Sequence, residues 1–98
     1  MDYKFTRTWA EINLDCLAHN VEQIQKVVGK RTEIMAVVKA DAYGHGVLET
    51  VNTLVDSGCS RLAVSMLDEA IQLRQIGINI PILVLSHTNP LRVDELIK

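Results

Sequence analysis

Apolar residues recur along the chain with two different periods, and these periods predict its secondary structure. Apolar and polar residues alternate from Ala10 to Asp15, which predicts a half-buried strand. Asp15 is then placed to cap a following helix, and Gly29 to end it. One face of this predicted helix carries apolar residues at spacings of four, three and four: Leu17, Val21, Ile24 and Val28.

The next stretch combines a continuous apolar run with a second helical pattern. Residues 34–38 read Ile-Met-Ala-Val-Val, which predicts a parallel strand buried on both faces. A loop is expected from Ala40 to Gly46, followed by a helix over residues 47–57 that Gly58 closes. The apolar face of this helix consists of Val47, Val51, Leu54 and Val55.

The same unit recurs over residues 61–77. Residues 61–64 form the predicted second strand, and Ser65 and Asp68 have the spacing of a capping box. The helix that they would start is expected to end at Gly77. Its predicted buried face begins with Met66, Ala70 and Leu73.

A third strand and a further helix are predicted after Gly77. Pro81 opens the strand over residues 82–85, and Asn89 and Pro90 suit the cap and first turn of the helix. That helix has apolar residues at Val93, Leu96 and Ile97.

Short buried strands that alternate with helices predict an α/β fold with a parallel sheet. Three strands cannot close a barrel, which takes eight strands and roughly 250 residues. The last helix also reaches Lys98 without a stop signal. We therefore expect residues 1–98 to be a fragment of a longer protein.

Composition narrows the possible classes. The 98 residues are 48% hydrophobic and 22% charged, with a net charge of -2, which is unlike disordered chains and unlike nucleic-acid or anionic-membrane binders. The apolar runs are too short to span a bilayer, and the start lacks a signal-peptide core, so a cytoplasmic location is expected. Cys16 and Cys59 have no metal-site spacing, which predicts no metal and two buried or half-buried thiols.

The segment from Val38 to Gly46 carries the candidate chemistry. It places Lys39 at the carboxyl end of a strand, where parallel α/β folds bind ligands. A lysine held by apolar neighbours loses solvation, which favours the neutral amine that forms Schiff bases with aldehydes such as pyridoxal phosphate. By these physical arguments alone, Lys39 is expected to be a solvated charge or an ion-pair partner more often than a catalytic group.

Residues 39–46, Lys-Ala-Asp-Ala-Tyr-Gly-His-Gly, resemble the cofactor-lysine signature of alanine racemases. The resemblance continues in order along nearly the whole chain, without a gap. It includes the opening residues 8–15, the unit over residues 61–74 and the strand region over residues 77–85.

The resemblance implies the fold, the reaction and the site residues. Residues 1–98 would be the N-terminal part of a (β/α)8 TIM-type barrel, which a β-rich domain follows in a homodimer. The implied reaction interconverts L- and D-alanine with pyridoxal phosphate and supplies D-alanine for peptidoglycan. Lys39 would be the Schiff-base lysine and the acid/base on one face of the substrate, and Tyr43 would bind the phosphate. Val37 and Leu85 would lie near the pyridine ring.

The remaining site groups of the family lie beyond residue 98. They include a second acid/base, which is a tyrosine from the partner subunit, and most of the phosphate-binding residues. The chain would therefore carry about half of a site, and we expect the isolated segment to be inactive.

Other interpretations stay open at this point. Barrel decarboxylases and racemases for other amino acids also use pyridoxal phosphate on a strand-end lysine, but the decarboxylase loop lacks the Tyr-Gly-His-Gly continuation. A non-catalytic module that stores pyridoxal phosphate would lack the opening segment. Tyr43 could be a packing residue, and His45 is expected to shape the loop because no third metal ligand is near in sequence.

Overall fold

The computed structural model describes residues 7–97. A 3-10 turn, Pro90–Arg92, leads into the last helix. No helix in this range is both long enough and apolar enough to cross a bilayer. The helices are α1 (Leu14–Val28), α2 (Lys39–Tyr43), α3 (Val47–Asp56), α4 (Leu67–Gln75) and α5 (Val93–Ile97), and the strands are β1 (Ile34–Val37), β2 (Cys59–Val64) and β3 (Ile82–Val84).

The three strands form one parallel sheet in the order β1-β2-β3. Val37 lies beside Ala63, and Ala63 lies beside Leu83. The register between β1 and β2 shifts between Ile34 and Met35. Each strand is connected to the next through a helix, as the alternation of short apolar runs and helical patterns predicts. The sequence-based prediction of a parallel α/β fold is confirmed.

The core lies between one face of this sheet and the helices α3 and α4. Val51 of α3, Leu62 of β2 and Leu73 of α4 have almost no exposed surface. Helix α1 packs beside α3, and its Val21 is buried. Apolar periodicity thus produces a two-layer arrangement in which α3 and α4 turn their apolar stripes toward the sheet.

The opposite face of the sheet is open, which contradicts the prediction that the first strand is buried on both faces. Met35 and Val37 of β1 are 41% and 40% exposed, and Leu83 of β3 is 48% exposed. The reason is that α3 and α4 cover only the other face. Ala63 is nevertheless buried, because it is a small side chain between larger residues of the two neighbouring strands.

The strand predicted over Ala10 to Asp15 is wrong. Residues 9–13 have no regular secondary structure and are exposed, and α1 starts at Leu14. Asn13, not Asp15, caps this helix, because its side-chain oxygen accepts a hydrogen bond from the Cys16 N–H at 3.1 Å. An alternating segment forms a strand only where a partner strand is available. Over residues 7–97, the sheet consists of β1, β2 and β3, and residues 10–15 pair with none of them.

The predicted cap of α4 is wrong, and the predicted cap of the last helical segment is confirmed. Met66 was expected to start the buried face of α4, but it is the cap residue and is exposed. Leu67 is buried in its place. Ser65 and Asp68 do not form the predicted capping box. Asn89 does act as a cap, since its side-chain oxygen accepts from the Leu91 N–H at 2.9 Å. The apolar face predicted for the last helix is exposed at Val93, Leu96 and Ile97.

Candidate active site

The carboxyl ends of the three strands lie side by side at one edge of the sheet. This is the edge at which parallel α/β folds bind ligands, because the loops that follow the strands converge there. The Ser65 and Ser86 hydroxyl oxygens lie 2.9 Å apart at this edge. Backbone N–H groups after β1 and β3 donate to carbonyls at the end of β2, each at 2.8 Å: Val38 to Ala63, Leu85 to Val64 and Ser86 to Ser65.

Lys39 opens α2, which is a single helical turn of the left-handed kind. Ala40, Asp41, Ala42 and Tyr43 all have φ between 52 and 56°. For L-residues this conformation costs about 1–2 kcal/mol each, so the turn stores roughly 4–8 kcal/mol relative to a right-handed one. Such strain persists only where the surroundings hold it, and it clusters at functional sites. The loop predicted over residues 40–46 therefore contains a strained turn that sequence patterns did not reveal.

The turn brings two of the predicted site residues together. The Lys39 Nζ lies 5.9 Å from the centroid of the Tyr43 ring, at the outer limit of a cation–π contact. Tyr43 is 60% exposed. Most of the Tyr43 surface thus lies outside the core that residues 7–97 form.

Two carboxylates fix the turn. The Asp41 Oδ1 accepts from the Val47 N–H at 2.8 Å, so Asp41 caps α3 across the glycine-containing loop. The Glu69 Oε2 accepts from the Ala40 N–H at 2.9 Å. The other oxygen, Oε1, accepts from the Ser65 and Met66 N–H groups at 2.9 and 2.8 Å.

Glu69 was not among the predicted site residues, because Ser65 and Asp68 had the spacing expected of the cap in this region. The available signal was the spacing of three between Met66 and Glu69, since glutamate three positions after a cap is the usual partner in a capping box. No pattern could have indicated the bond to Ala40, which is 29 residues away.

His45 has the structural role that the sequence predicts. Its Nδ1 lies 2.9 Å from the Ala42 carbonyl oxygen, to which it donates in the tautomer that carries the proton on Nδ1. Gly44, at φ 88°, continues the left-handed path where a side chain would add strain, and its N–H donates to the Ala40 carbonyl at 3.0 Å. These contacts close the turn against its own backbone.

Val37 and Leu85 lie on the open face of the sheet. Val37 is two residues before Lys39, and Leu85 directly follows β3 at the same sheet edge. Leu85 is 52% exposed. The open face thus offers apolar surface next to the strand end that carries the lysine.

The other polar clusters lie outside this turn. Arg92 is 2.7 Å from Asp68, and its guanidinium holds the pKa of that carboxyl below its usual value. Arg61, 3.0 Å from Glu33, lowers the pKa of Glu33 in the same way. Over residues 7–97, no three His, Cys, Asp or Glu side chains are grouped so that they could hold a metal ion.

The thiols have different environments. Cys59 is buried, and this burial raises the pKa of its thiol. Cys16 is exposed, which corrects the prediction that both thiols are at least half-buried.

Two concavities flank α4. A cavity of about 450 Å³ lies under the left-handed turn, lined by Asp41, Val47, Glu69 and Gln72 among others. A larger apolar groove of about 810 Å³ runs between α4, β3 and α5 and has Ile71 and Leu96 in its walls. Lys39 lines neither of these two concavities.

The chain matches the profile of a known family. The profile described as alanine racemase, N-terminal domain, matches residues 12–98. The chain belongs to this family. The alanine racemase of Halothermothrix orenii is 46% identical over 99 aligned residues, which cover 100% of this chain and 26% of the relative. The alanine racemase of Geobacillus stearothermophilus is 52% identical over 83 residues, which cover 85% of this chain and 21% of the relative.

Solved structures show the same relationship. Alanine racemase of Clostridium difficile 630 in complex with cycloserine superposes with a TM-score of 0.87 at 42% identity, over 95% of this chain and 26% of that one. Alanine racemase from Bacillus anthracis with bound L-Ala-P gives 0.82 at 39% identity, over 90% and 24%. The fold class expected from the resemblance, the first part of an α/β barrel with parallel strands, is confirmed. The chain spans about a quarter of the length of these relatives.

Proposed function

We propose that the protein to which this segment belongs is an alanine racemase, which interconverts L- and D-alanine with pyridoxal phosphate attached to Lys39. In this proposal residues 1–98 are the N-terminal part of the barrel domain, and the rest of the barrel and a β-rich domain complete the protein. The observation that carries the proposal is the position of Lys39 at the carboxyl end of β1 in a strained turn, in a chain of the alanine racemase family.

The donor groups at the strand edge fit pyridoxal phosphate chemically. Lys39 supplies a primary amine for the aldehyde of the cofactor. Tyr43 carries a hydroxyl that can donate to a phosphate oxygen, and most of its side chain is exposed. Val37 and Leu85 offer apolar surface for a pyridine ring on the open face of the sheet.

When bound, pyridoxal phosphate withdraws electrons from the substrate Cα and so makes the Cα proton removable. Racemisation then needs one acid/base group on each face of the planar carbon. We assign one of them to the Lys39 amine, which the turn holds at the end of β1. The opposite group must come from outside residues 1–98, and we assign it to a partner subunit in a homodimer.

We further propose a cellular context. The enzyme would act in the cytoplasm and supply D-alanine for peptidoglycan, without a nucleic-acid or membrane partner. Alanine is favoured as substrate because the relatives are named alanine racemases. The near balance of acidic and basic side chains supports the absence of a polyanionic partner.

The test uses the complete protein. Borohydride reduction of the cofactor-loaded protein should fix the cofactor on Lys39 in a peptide map. Lys39→Ala should lower the conversion of L-alanine to D-alanine, followed with a coupled D-amino-acid oxidase, by at least roughly 100- to 10,000-fold, because the acid/base group is lost. Lys26→Ala, an exposed lysine on α1, is the matched control and should leave turnover unchanged.

A label on a different lysine would contradict the assignment of Lys39. A full-length protein that decarboxylates basic amino acids and leaves alanine unchanged would identify a barrel decarboxylase instead. A protein that binds the cofactor at Lys39 but converts no amino acid would favour the storage module.

A further inference from the structure

One carboxylate connects the ends of two strands. Glu69, in the first turn of α4, accepts from the Ala40 N–H with Oε2 and from the Ser65 and Met66 N–H groups with Oε1. The three bonds are 2.8 to 2.9 Å long. Hydrogen bonds to an ionised carboxylate are stronger than those between neutral groups, so these contacts tie the two loops firmly together.

The bond from the Ala40 N–H to Glu69 holds the backbone directly after Lys39. The Ala40 N–H belongs to the peptide that joins Lys39 to Ala40, and Ala40 is the first residue of the left-handed run. Each residue in this run favours the right-handed conformation by about 1–2 kcal/mol. The bond to Glu69 comes from outside the turn and fixes this peptide plane, which links Lys39 to the left-handed run that ends at Tyr43.

We infer that Glu69 is a positioning residue: it holds the Lys39–Ala40 peptide and thereby aims the Lys39 amine and the Tyr43 hydroxyl at the cofactor. This inference rests on the proposed function, because it gives Lys39 the covalent role. Glu69 acts through the backbone of the turn. The catalytic contacts themselves belong to Lys39.

The variants can separate this role from helix capping. Glu69→Gln keeps the side-chain length but replaces one acceptor oxygen by an NH2 group, which cannot accept a hydrogen bond. The amide can thus serve the α4 cap or the Ala40 N–H, but not both. Asp68→Asn is the matched control. It removes the same charge from the same helical turn, and its partner is Arg92.

In the complete protein, Glu69→Gln should weaken cofactor binding and lower kcat for alanine, each by roughly 10- to 100-fold, the range for losing a hydrogen bond to a charged group. The KM for alanine should change less than kcat, because Glu69 is not assigned a substrate contact. Asp68→Asn should stay within about threefold of the wild type in all three values. If Glu69→Gln does not fold, Glu69→Asp, which is one methylene shorter, takes its place.

A second measurement needs no cofactor. Amide hydrogen exchange in peptides that cover residues 39–44 of the cofactor-free protein should be faster in Glu69→Gln than in the wild type and in Asp68→Asn. Equal exchange in both variants, or equal losses of kcat, would overturn the inference. A wild-type protein without cofactor on Lys39 would instead overturn the proposed function, and the exchange rates would then decide whether Glu69 holds the turn.

Discussion

The junctions that follow β1 and β2 connect a strand to a helix in opposite ways. After β2, the chain passes through Ser65 and Met66, where Met66 has the ordinary extended values of φ -118° and ψ 152°, directly into α4. After β1, it winds through the left-handed α2 and a glycine-containing loop before α3 begins at Val47. Both junctions belong to β-α units of one sheet, and of the two only the junction after β1 carries Lys39.

The difference shows where conformational strain is located. The helix cap of the β2 junction is local, since Glu69 of α4 accepts from the Ser65 and Met66 N–H groups. The β1 junction needs support from Asp41 at the start of α3 and from Glu69 of the next unit. In the proposed site, a strained turn that distant groups hold in place would give the Lys39 amine a rigid base, and backbone strain is concentrated at functional sites in general.

Among the variants that compare the two junctions, the largest expected effect is on cofactor affinity, and it should distinguish the Tyr43 hydroxyl from the Ser65 hydroxyl. Tyr43→Phe should weaken cofactor affinity by roughly 0.5–3 kcal/mol, the range for one lost hydrogen bond that is larger when a partner is charged. Ser65→Ala removes a hydroxyl at the β2 junction, where its contact is the Ser86 hydroxyl, and should leave the affinity unchanged. Cofactor titrations of the complete protein measure both. An equal loss in the two variants would mean that the phosphate site includes the β2 junction.

A somewhat smaller effect should appear in stability through the cap of α3. Asp41→Ala removes the acceptor of the Val47 N–H and should lower the free energy of unfolding by about 0.5–2 kcal/mol. Asp41→Asn keeps a side-chain oxygen and should retain most of this stability. Denaturant unfolding of the cofactor-free protein measures the difference. Identical stabilities for the two variants would show that the cap does not support the β1 junction.

The smallest expected effect is the change in stability when an alanine is replaced by glycine, and its sign should differ between right-handed and left-handed segments. Ala40→Gly, at φ 52° and exposed, should stabilise the protein by roughly 0.5–1 kcal/mol, because relief of strain exceeds the entropic cost of glycine. The same change at Ala18, within the right-handed α1, should destabilise it by about 1 kcal/mol. Thermal unfolding of both variants checks the sign. Destabilisation by Ala40→Gly would argue against strain in this turn.

Predictions from sequence succeeded where local patterns decide the structure. The stripe from Leu17 to Val28 lies within α1, and the cap at Asn89 is present because it needs only neighbouring backbone. The pattern failed for residues 10–15, where a strand would need a partner. It also failed for the α4 cap, because the cap residue is Met66 rather than Ser65, and the carboxylate three positions later is then Glu69 rather than Asp68.

Periodicity dictated the order of helices and parallel strands, because each element needs one apolar face and a strand or helix repeats that face at its own interval. The signature around Lys39 likewise pointed to the family through residue types alone. The left-handed turn, its bond to Glu69 and the open face beside Val37 appear only in three dimensions. They depend on contacts between residues far apart in the chain, and local propensity opposes the strained turn until those contacts form.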